Sequence, residues 1–418
     1  MLRPQLIVLQ PTAYCNINCA YCYLGNRDDR RLMSAAVVDA IAIKLLARLP
    51  RDHAPTIVWH AGEPTAAPLR WYEAAQARLA AAAPAATQFA MQSNGIAIDE
   101  RWIAWFRRSR TAVNLSIDGP QRFHDARRRT RSDGPTWMLA MRGLKRLQDA
   151  GLSPGVITVL HPEGLSRADE YYAFYRDHGI TEVSFSIDEI EGANRRSSFR
   201  GDDKELVTRF LLDLLERAFD DQMPLCIREV ERIAHVLAGK QTVANELVEP
   251  WASIVVAVDG KVSTFSPEIM EVTAPQYGDF VVGNILNGDI DDFARGPDFI
   301  HLCGDVSAGI EACRSTCRYF GVCGGGSPVN KYCEQGTLAA TETQFCRLTT
   351  QTAADALLSF IERHRRRTDE LQADDAERAR SAIARAFSGE VDTGSPSENA
   401  TKQQLLEHDP IQSERIVL

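Results

Sequence analysis

A chain of 418 residues that is 44% hydrophobic and 25% charged is ordinary globular material, with length for roughly two or three domains. Its net charge of −9 argues against a nucleic-acid or anionic-membrane surface as the main partner. The opening MLRPQLIVLQP has one short apolar run before Gln10, too brief for a signal-peptide core, and no later run reaches membrane-spanning length; the chain is expected to be cytoplasmic, with no membrane partner.

Short β-rich runs recur at residues 5–10, 56–60, 87–93, 112–118, 155–160 and 181–187. Between them lie segments of helical periodicity, among them SAAVVDAIAIKLLARL, LRWYEAAQARLAAAA, ERWIAWFRR and WMLAMRGLKRLQDAG. Such alternation predicts a parallel sheet, either doubly wound and open or curved into a partial barrel. In both architectures chemistry belongs in the loops after the strands' C-terminal ends, and CNINCAYC, HAGEPT, SNG and DGP all fall there.

Residues 204–237 read as helical, and SIVVAVDGKVSTFSPE as a hairpin turning at Asp259-Gly260. After FVVGNI comes a Cys- and Gly-rich stretch with little periodicity, the kind of chain that needs a metal to hold it. Helices are predicted over 348–364 and 372–387, then a polar disordered tail. The implied divisions are a core at 1–225, a Cys-rich extension at 226–350, a helical segment at 351–388 and the tail at 389–418.

Nine of the ten cysteines bunch at 15–22 and 303–346, and Cys226 stands alone, best read as a core thiol. In a reducing compartment clustered thiols point to metal ligation or catalysis rather than disulfides. Cys15, Cys19 and Cys22 can hold three irons of a four-iron cluster and leave the fourth open. A zinc site would need a fourth ligand, and His53 and His60 lie outside the loop. In the second group Cys313, Cys317, Cys323 and Cys346 suffice to close a second cluster, with zinc as the alternative on spacing alone; Cys303 and Cys333 are left over, Cys333 being the likelier substitute. Gly324-Gly325-Gly326 would let backbone N–H groups approach the cluster sulfurs.

The CxxxCxxC pattern, with Tyr21 before its last Cys, resembles the radical S-adenosylmethionine (radical SAM) superfamily. That resemblance implies an α/β fold: a partial (β/α)6 TIM-like barrel, a Cys-rich SPASM-type extension and C-terminal helices. It implies a core [4Fe-4S] cluster bound with SAM and at least one auxiliary [4Fe-4S] cluster. Gly62-Glu63-Pro64 resembles the stretch that binds SAM's amino group, with Ala61 in place of a Gly; Ser116 and Asp118 resemble contacts to its carboxylate and ribose, and Arg128 the basic position paired with the carboxylate. Asn94 in SNG is placed with them. The hairpin departs from the full SPASM pattern, because Phe265 and Ser266 stand where a cluster Cys and an acidic base are expected. Glu268 and Asp259 are the candidate bases.

Together with EIEG, FSPE, YFGVCGGGSPVNK and TETQFCRLT, these motifs resemble the cyclophane-forming peptide maturases. The resemblance implies a ribosomal precursor peptide as substrate, an external one-electron reductant such as flavodoxin or ferredoxin, and a carbon–carbon bond between an aromatic ring and a nearby Cβ. Sulfatase-maturase-like oxidation and thioether formation are the alternatives. No separate leader-binding domain is expected ahead of the core, so a leader would use the core, the Cys-rich extension or the C-terminal helices, where the basic run RHRRR at 363–367 is either a contact for an acidic leader or a solvated helix face. Replacing Cys15, Cys19 and Cys22 together by Ala should abolish SAM cleavage, read as 5'-deoxyadenosine, while iron bound by the C-terminal thiols remains; 5'-deoxyadenosine at the wild-type yield would contradict the assignment.

Overall fold

The computed structural model describes residues 2–200, 203–241, 243 and 245–370, the side chains of 366–370 excepted. The predicted helix at 372–387 and the predicted tail lie outside them. Twelve strands are β1 (Leu6–Leu9), β2 (Ile17–Cys19), β3 (Thr56–Trp59), β4 (Gln88–Ser93), β5 (Thr111–Ser116), β6 (Arg128–Thr130), β7 (Val156–Leu160), β8 (Glu182–Ile187), β9 (Cys226–Ile227), β10 (Ser253–Val256), β11 (Lys261–Thr264) and β12 (Gly283–Asn284). Ten form one sheet in the order β12-β11-β10-β1-β3-β4-β5-β7-β8-β9, and β2 pairs with β6 in a separate ribbon.

The six predicted runs are the parallel strands β1, β3, β4, β5, β7 and β8, lying side by side in chain order. That order decides between the two architectures. A doubly wound sheet reverses direction at its midpoint, whereas right-handed crossovers that always advance one way place every helix on one face and leave the other as the inside of a partial barrel.

Side-chain alternation shows the two faces. Ile7, Leu9, Ile57 and Trp59 join the large core under the helices, while Leu6, Val8, Val58, Ala90 and Val255 form a small inner cluster. Gln92 on β4 and Ser116 on β5 share a hydrogen bond above that inner floor. The hairpin forms as predicted, with Gly260 at φ +85° in its turn, and β10 extends the sheet alongside β1.

Two predicted segments differ. The helix expected through 204–237 is two, Asp203–Asp220 and Arg228–Leu237, because Gln222 adopts φ +52° and Pro224 follows, so the chain turns and β9 pairs with β8. The aperiodic Cys-rich stretch contains the 20-residue helix Pro297–Thr316, begun by a Pro at its first position. Gly304 and Gly309 hide its periodicity, and Gly309 is needed for packing, since a Cβ there would lie 2.2 Å from the Leu338 carbonyl oxygen.

The helix Trp137–Asp149 braces the end of β4 in the same way. A Cβ on its buried Gly143 would stand 2.2 Å from the Gly95 carbonyl oxygen, and Gly95 follows Asn94 at φ +78°. Gly143→Ala should therefore lose about 1–3 kcal/mol despite the better helix propensity of Ala, read as a lower urea midpoint with m unchanged; a raised midpoint would refute the close packing.

Candidate active site and thiol centres

The thiol loop leaves β1 and passes through β2. Gly62, at φ +67°, lets it lie against the barrel mouth: a Cβ there would be 2.5 Å from the Thr12 carbonyl oxygen and 2.7 Å from that of Tyr14. Ala61 takes φ +65°, a strained value for a side chain with a Cβ, at the place of the family's glycine. Glu63 donates its backbone N–H to Tyr14 O and is buried, accepting bonds from Thr65 N, Thr65 Oγ1, Ser93 Oγ and Asn94 N at 2.5–2.9 Å. Burial raises its carboxyl above the ordinary range and these donors oppose it. The Asn94 side chain reaches back to Asn16 in the thiol loop at 2.7 Å.

Arginines surround the three thiols. Arg128 Nη1 lies 3.8 Å from Cys19 Sγ, Arg27 donates to Cys19 O and Arg131 to Cys15 O. Burial pushes the Cys15 thiol up to about 12, reinforced first by Glu63, and the Cys19 thiol up to about 11, opposed first by Arg128. Thiolate ligands at this loop therefore form together with metal binding, and the arginines compensate the anionic group that results. The donor set fits a four-iron cluster with one open iron.

Arg128 and Asp118 are fully buried and meet at 2.9 Å, although Nε lacks an aligned acceptor. Asp118 also accepts from Tyr21 Oη at 2.6 Å and from Val159 N at 3.0 Å. Burial raises the Asp118 carboxyl, but Arg128 and then His124 outweigh it and hold the group below the usual carboxylate range. His124, pushed down to about 4 by burial, accepts from Asp118 N at Nδ1, so its proton sits on Nε2 facing Thr136 Oγ1. Ser116, by contrast, contacts only Gln92 among these residues. Tyr21, Gly62, Glu63, Asn94, Asp118 and Arg128 thus converge on the thiol loop.

Sequence reasoning passed over three polar atoms at these strand ends. His60 Nδ1, Gln92 Oε1 and the Nε2 of His161 are buried without partners. The His161 ring lies 5.3 Å from that of Tyr21, and its Nδ1 lies 3.9 Å from Asp188 Oδ2. Unmet polar atoms inside a protein call for a bound polar group, and a charged, hydroxyl-rich molecule such as SAM suits them.

Glu191, from the EIEG stretch, stands with Glu268 beside Tyr23 and near Cys22, and Glu189 of the same stretch faces both carboxyls. Burial raises all three carboxyls, like-charged neighbours add to it at Glu189 and Glu191, and Asn330 Nδ2 holds Glu189 at 2.6 Å. The Tyr23 hydroxyl among them has no partner. Asp259 lies instead in the hairpin turn, where it accepts from Lys261 N at 3.2 Å and pairs with the Lys261 ammonium.

The structure gathers the second thiol group. Cys313 feels Cys317 and Cys323 electrostatically, and Cys346 feels Cys323. Gly324, Gly325 and Gly326 all adopt positive φ and turn the chain back onto Cys313. Cys303 and Cys333 both pack on a second apolar core, and Cys333 also borders Glu189 and Glu334. Phe265 is fully buried in that core with Tyr277 and Phe280, at φ +76°. Among the described residues no three of His, Cys, Asp and Glu converge on a single-ion site.

A loop of three thiols at the mouth of a partial barrel, ringed by arginines and unmet polar atoms, defines an iron–sulfur enzyme that binds SAM. The chain belongs to the radical SAM superfamily: the model of that superfamily matches residues 9–175. An uncharacterised protein of Synechocystis sp. is 33% identical over 368 residues, 85% of this chain and 92% of that one. The serine-type anaerobic sulfatase-maturating enzyme of Bacteroides thetaiotaomicron is 25% identical over 44% of this chain and 46% of its own. Among solved structures anSMEcpe with bound AdoMet has a TM-score of 0.72 at 18% identity, covering 86% of this chain and 98% of that one. SuiB of Streptococcus suis, bound to its precursor peptide SuiA, has a TM-score of 0.57 at 15% identity over 83% and 76%.

Arg128→Met removes one partner of a buried pair and leaves Asp118 uncompensated, so stability should fall by about 3–5 kcal/mol. Because Asp118 titrates below its unfolded value, the pair's contribution is present above the ordinary Asp range and fades as pH falls below it. Urea midpoints of wild type and variant should converge toward acid pH; a constant gap would contradict the pairing.

Proposed function

We propose that this enzyme modifies a ribosomal precursor peptide by joining an aromatic ring carbon to the Cβ of a nearby residue, forming a cyclophane. The cluster and SAM, when bound, supply a 5'-deoxyadenosyl radical able to take hydrogen from an unactivated C–H bond. The chain's own residues then have three tasks. Tyr21, Gly62, Glu63, Asn94, Ser116, Asp118 and Arg128 orient the cofactor, the barrel interior excludes water, and a carboxylate takes the proton that the ring loses as it rearomatises.

The observation that carries this reading is the exchange at the hairpin. Phe265 and Ser266 stand where a sulfatase-maturase-like pattern needs a cluster Cys and a base, and the Phe265 ring fills an apolar core. The carboxylates beside Tyr23 and the thiol Cys22 are Glu268, Glu191 and Glu271, with Glu189 behind Glu191. A carboxylate raised by burial is a stronger base than a free one, and Glu268, which also accepts from Ser266, is assigned that role. The electron released on rearomatisation would pass to a cluster on Cys313, Cys317, Cys323 and Cys346, and flavodoxin or ferredoxin would supply the electron that starts each turnover.

A peptide substrate is in keeping with the peptide-bound structures of anSMEcpe and SuiB. The basic run is not wholly a free surface for a leader: His364 is buried against Phe219 and Phe360, and Arg363 pairs with Glu216. The likeness to sulfatase-maturating enzymes favours a second reading, two-electron oxidation of one side chain.

Anaerobic co-expression with candidate precursor peptides encoded beside this protein, followed by tandem mass spectrometry, separates the two. A cyclophane predicts loss of two hydrogens per motif with fragmentation suppressed between two residues. The same loss confined to one Ser, with normal fragmentation, would overturn the crosslink. Glu268→Gln should lower crosslinking at least about 100-fold while 5'-deoxyadenosine still forms.

A further inference from the structure

Lys331 belongs to the helix Pro328–Gln335 and is 2% exposed. Burying an ammonium costs several kcal/mol unless hydrogen bonds and an opposite charge offset it. Its Nζ donates to the Gly309 carbonyl oxygen at 2.9 Å, and it hydrogen-bonds the Cys313 thiol. No carboxylate among the described residues pairs with it. The missing Cβ of Gly309 makes the room, since one there would stand 3.0 Å from Nζ. The fold has thus placed an unneutralised cation against one of four gathered thiols.

Four thiolates outweigh the positive charge of an iron–sulfur core, so the ligated group is an anion in either oxidation state and becomes more negative by one charge on reduction. A fixed positive charge in contact with a ligand sulfur stabilises the more negative state more, which raises the reduction potential. Around Cys313 itself the other polar contacts are backbone, Gly325 O and Thr341 O at 3.7 and 3.6 Å from Sγ, whereas Arg318 faces Cys317, and Cys346 meets Thr343, whose N–H donates to its Sγ at 3.2 Å, and the opposing charge of Glu342.

We infer that Lys331 is the built-in counter-charge of the C-terminal thiolate group and sets it to accept electrons. This rests on the proposal that Cys313, Cys317, Cys323 and Cys346 hold an iron–sulfur cluster. Reduction there adds one electron and no proton. The donor is dithionite in the assay and, under the proposed function, the ring radical, whose proton leaves separately to a carboxylate. Lys331 touches a ligand sulfur, so it acts on the potential through Cys313 and takes no part in bond making.

The test uses the full chain carrying Cys15→Ala, Cys19→Ala and Cys22→Ala, reconstituted anaerobically so that only the C-terminal group binds metal. Metal analysis and an EPR-monitored redox titration are then compared for Lys331, Lys331→Met, Lys331→Gln and Lys331→Arg. At fixed potential the two neutral variants should shift the reduced-to-oxidised ratio at least about tenfold toward oxidised, about 59 mV for one electron, while Arg stays near wild type. Loss of iron from both neutral variants but not from Arg would equally support the counter-charge. Iron intact at the wild-type potential in a neutral variant, or an Arg variant that fails as the neutral ones do, would overturn it. Zinc in place of iron in the parent would instead overturn the cluster on which it rests, an outcome that metal analysis distinguishes.

Discussion

The site is organised around one buried ion pair, Arg128 with Asp118. Asp118 follows β5 and takes a backbone N–H from the end of β7, while Arg128 opens β6, which pairs with β2 in the thiol loop. The pair therefore fastens a loop to the barrel at the point where two strands end. It also sets charge: the guanidinium lies near Cys19 Sγ and the ring of Tyr21, whose hydroxyl bonds the same carboxylate. Buried pairs of this kind add little net stability over apolar packing but are costly to break singly, which makes them suited to fixing geometry.

The two thiol centres apply the same solution in different settings. Thiolates gathered inside a protein need nearby positive charge, and the N-terminal group draws it from Arg27, Arg128 and Arg131 on surrounding elements. The C-terminal group has Lys331, buried and reached only because Gly309 lacks a side chain. Between them, Phe265 accepts a left-handed backbone to fill apolar space where the related hairpin carries a cysteine. The carboxylates that face Tyr23 and Cys22 come from the loop after β8 and from the short helix that follows the hairpin, Glu268 among them.

Much of this was legible in the sequence, for identifiable reasons. Parallel strands buried on both faces, such as LIVL and TIVW, read as short apolar runs whatever surrounds them. The thiol spacings were equally plain, because ligands on one loop must be close in sequence. Other features depended on distance along the chain. The choice of a partial barrel needed strand order, the place of Cys303 and Cys333 on a second apolar core needed packing, and the helix over 297–316 was hidden by Gly304 and Gly309. Glu189 and Glu191 stood in the EIEG motif without a role of their own, since a carboxylate on a loop gains meaning only when Glu268 and Tyr23 arrive from elsewhere. Asp259 shows the converse, a residue whose turn position explains it without chemistry.

Two four-iron centres, one open and one closed, are expected in this chain, with Phe265 in place of any third. Iron and acid-labile sulfide counted on the anaerobically reconstituted wild-type protein, with Mössbauer spectra to assign cluster type, test this most directly. About eight irons are expected, all in four-iron clusters. About twelve would show that Cys303 and Cys333 help to build a third centre and would contradict it; about four would remove the C-terminal centre altogether.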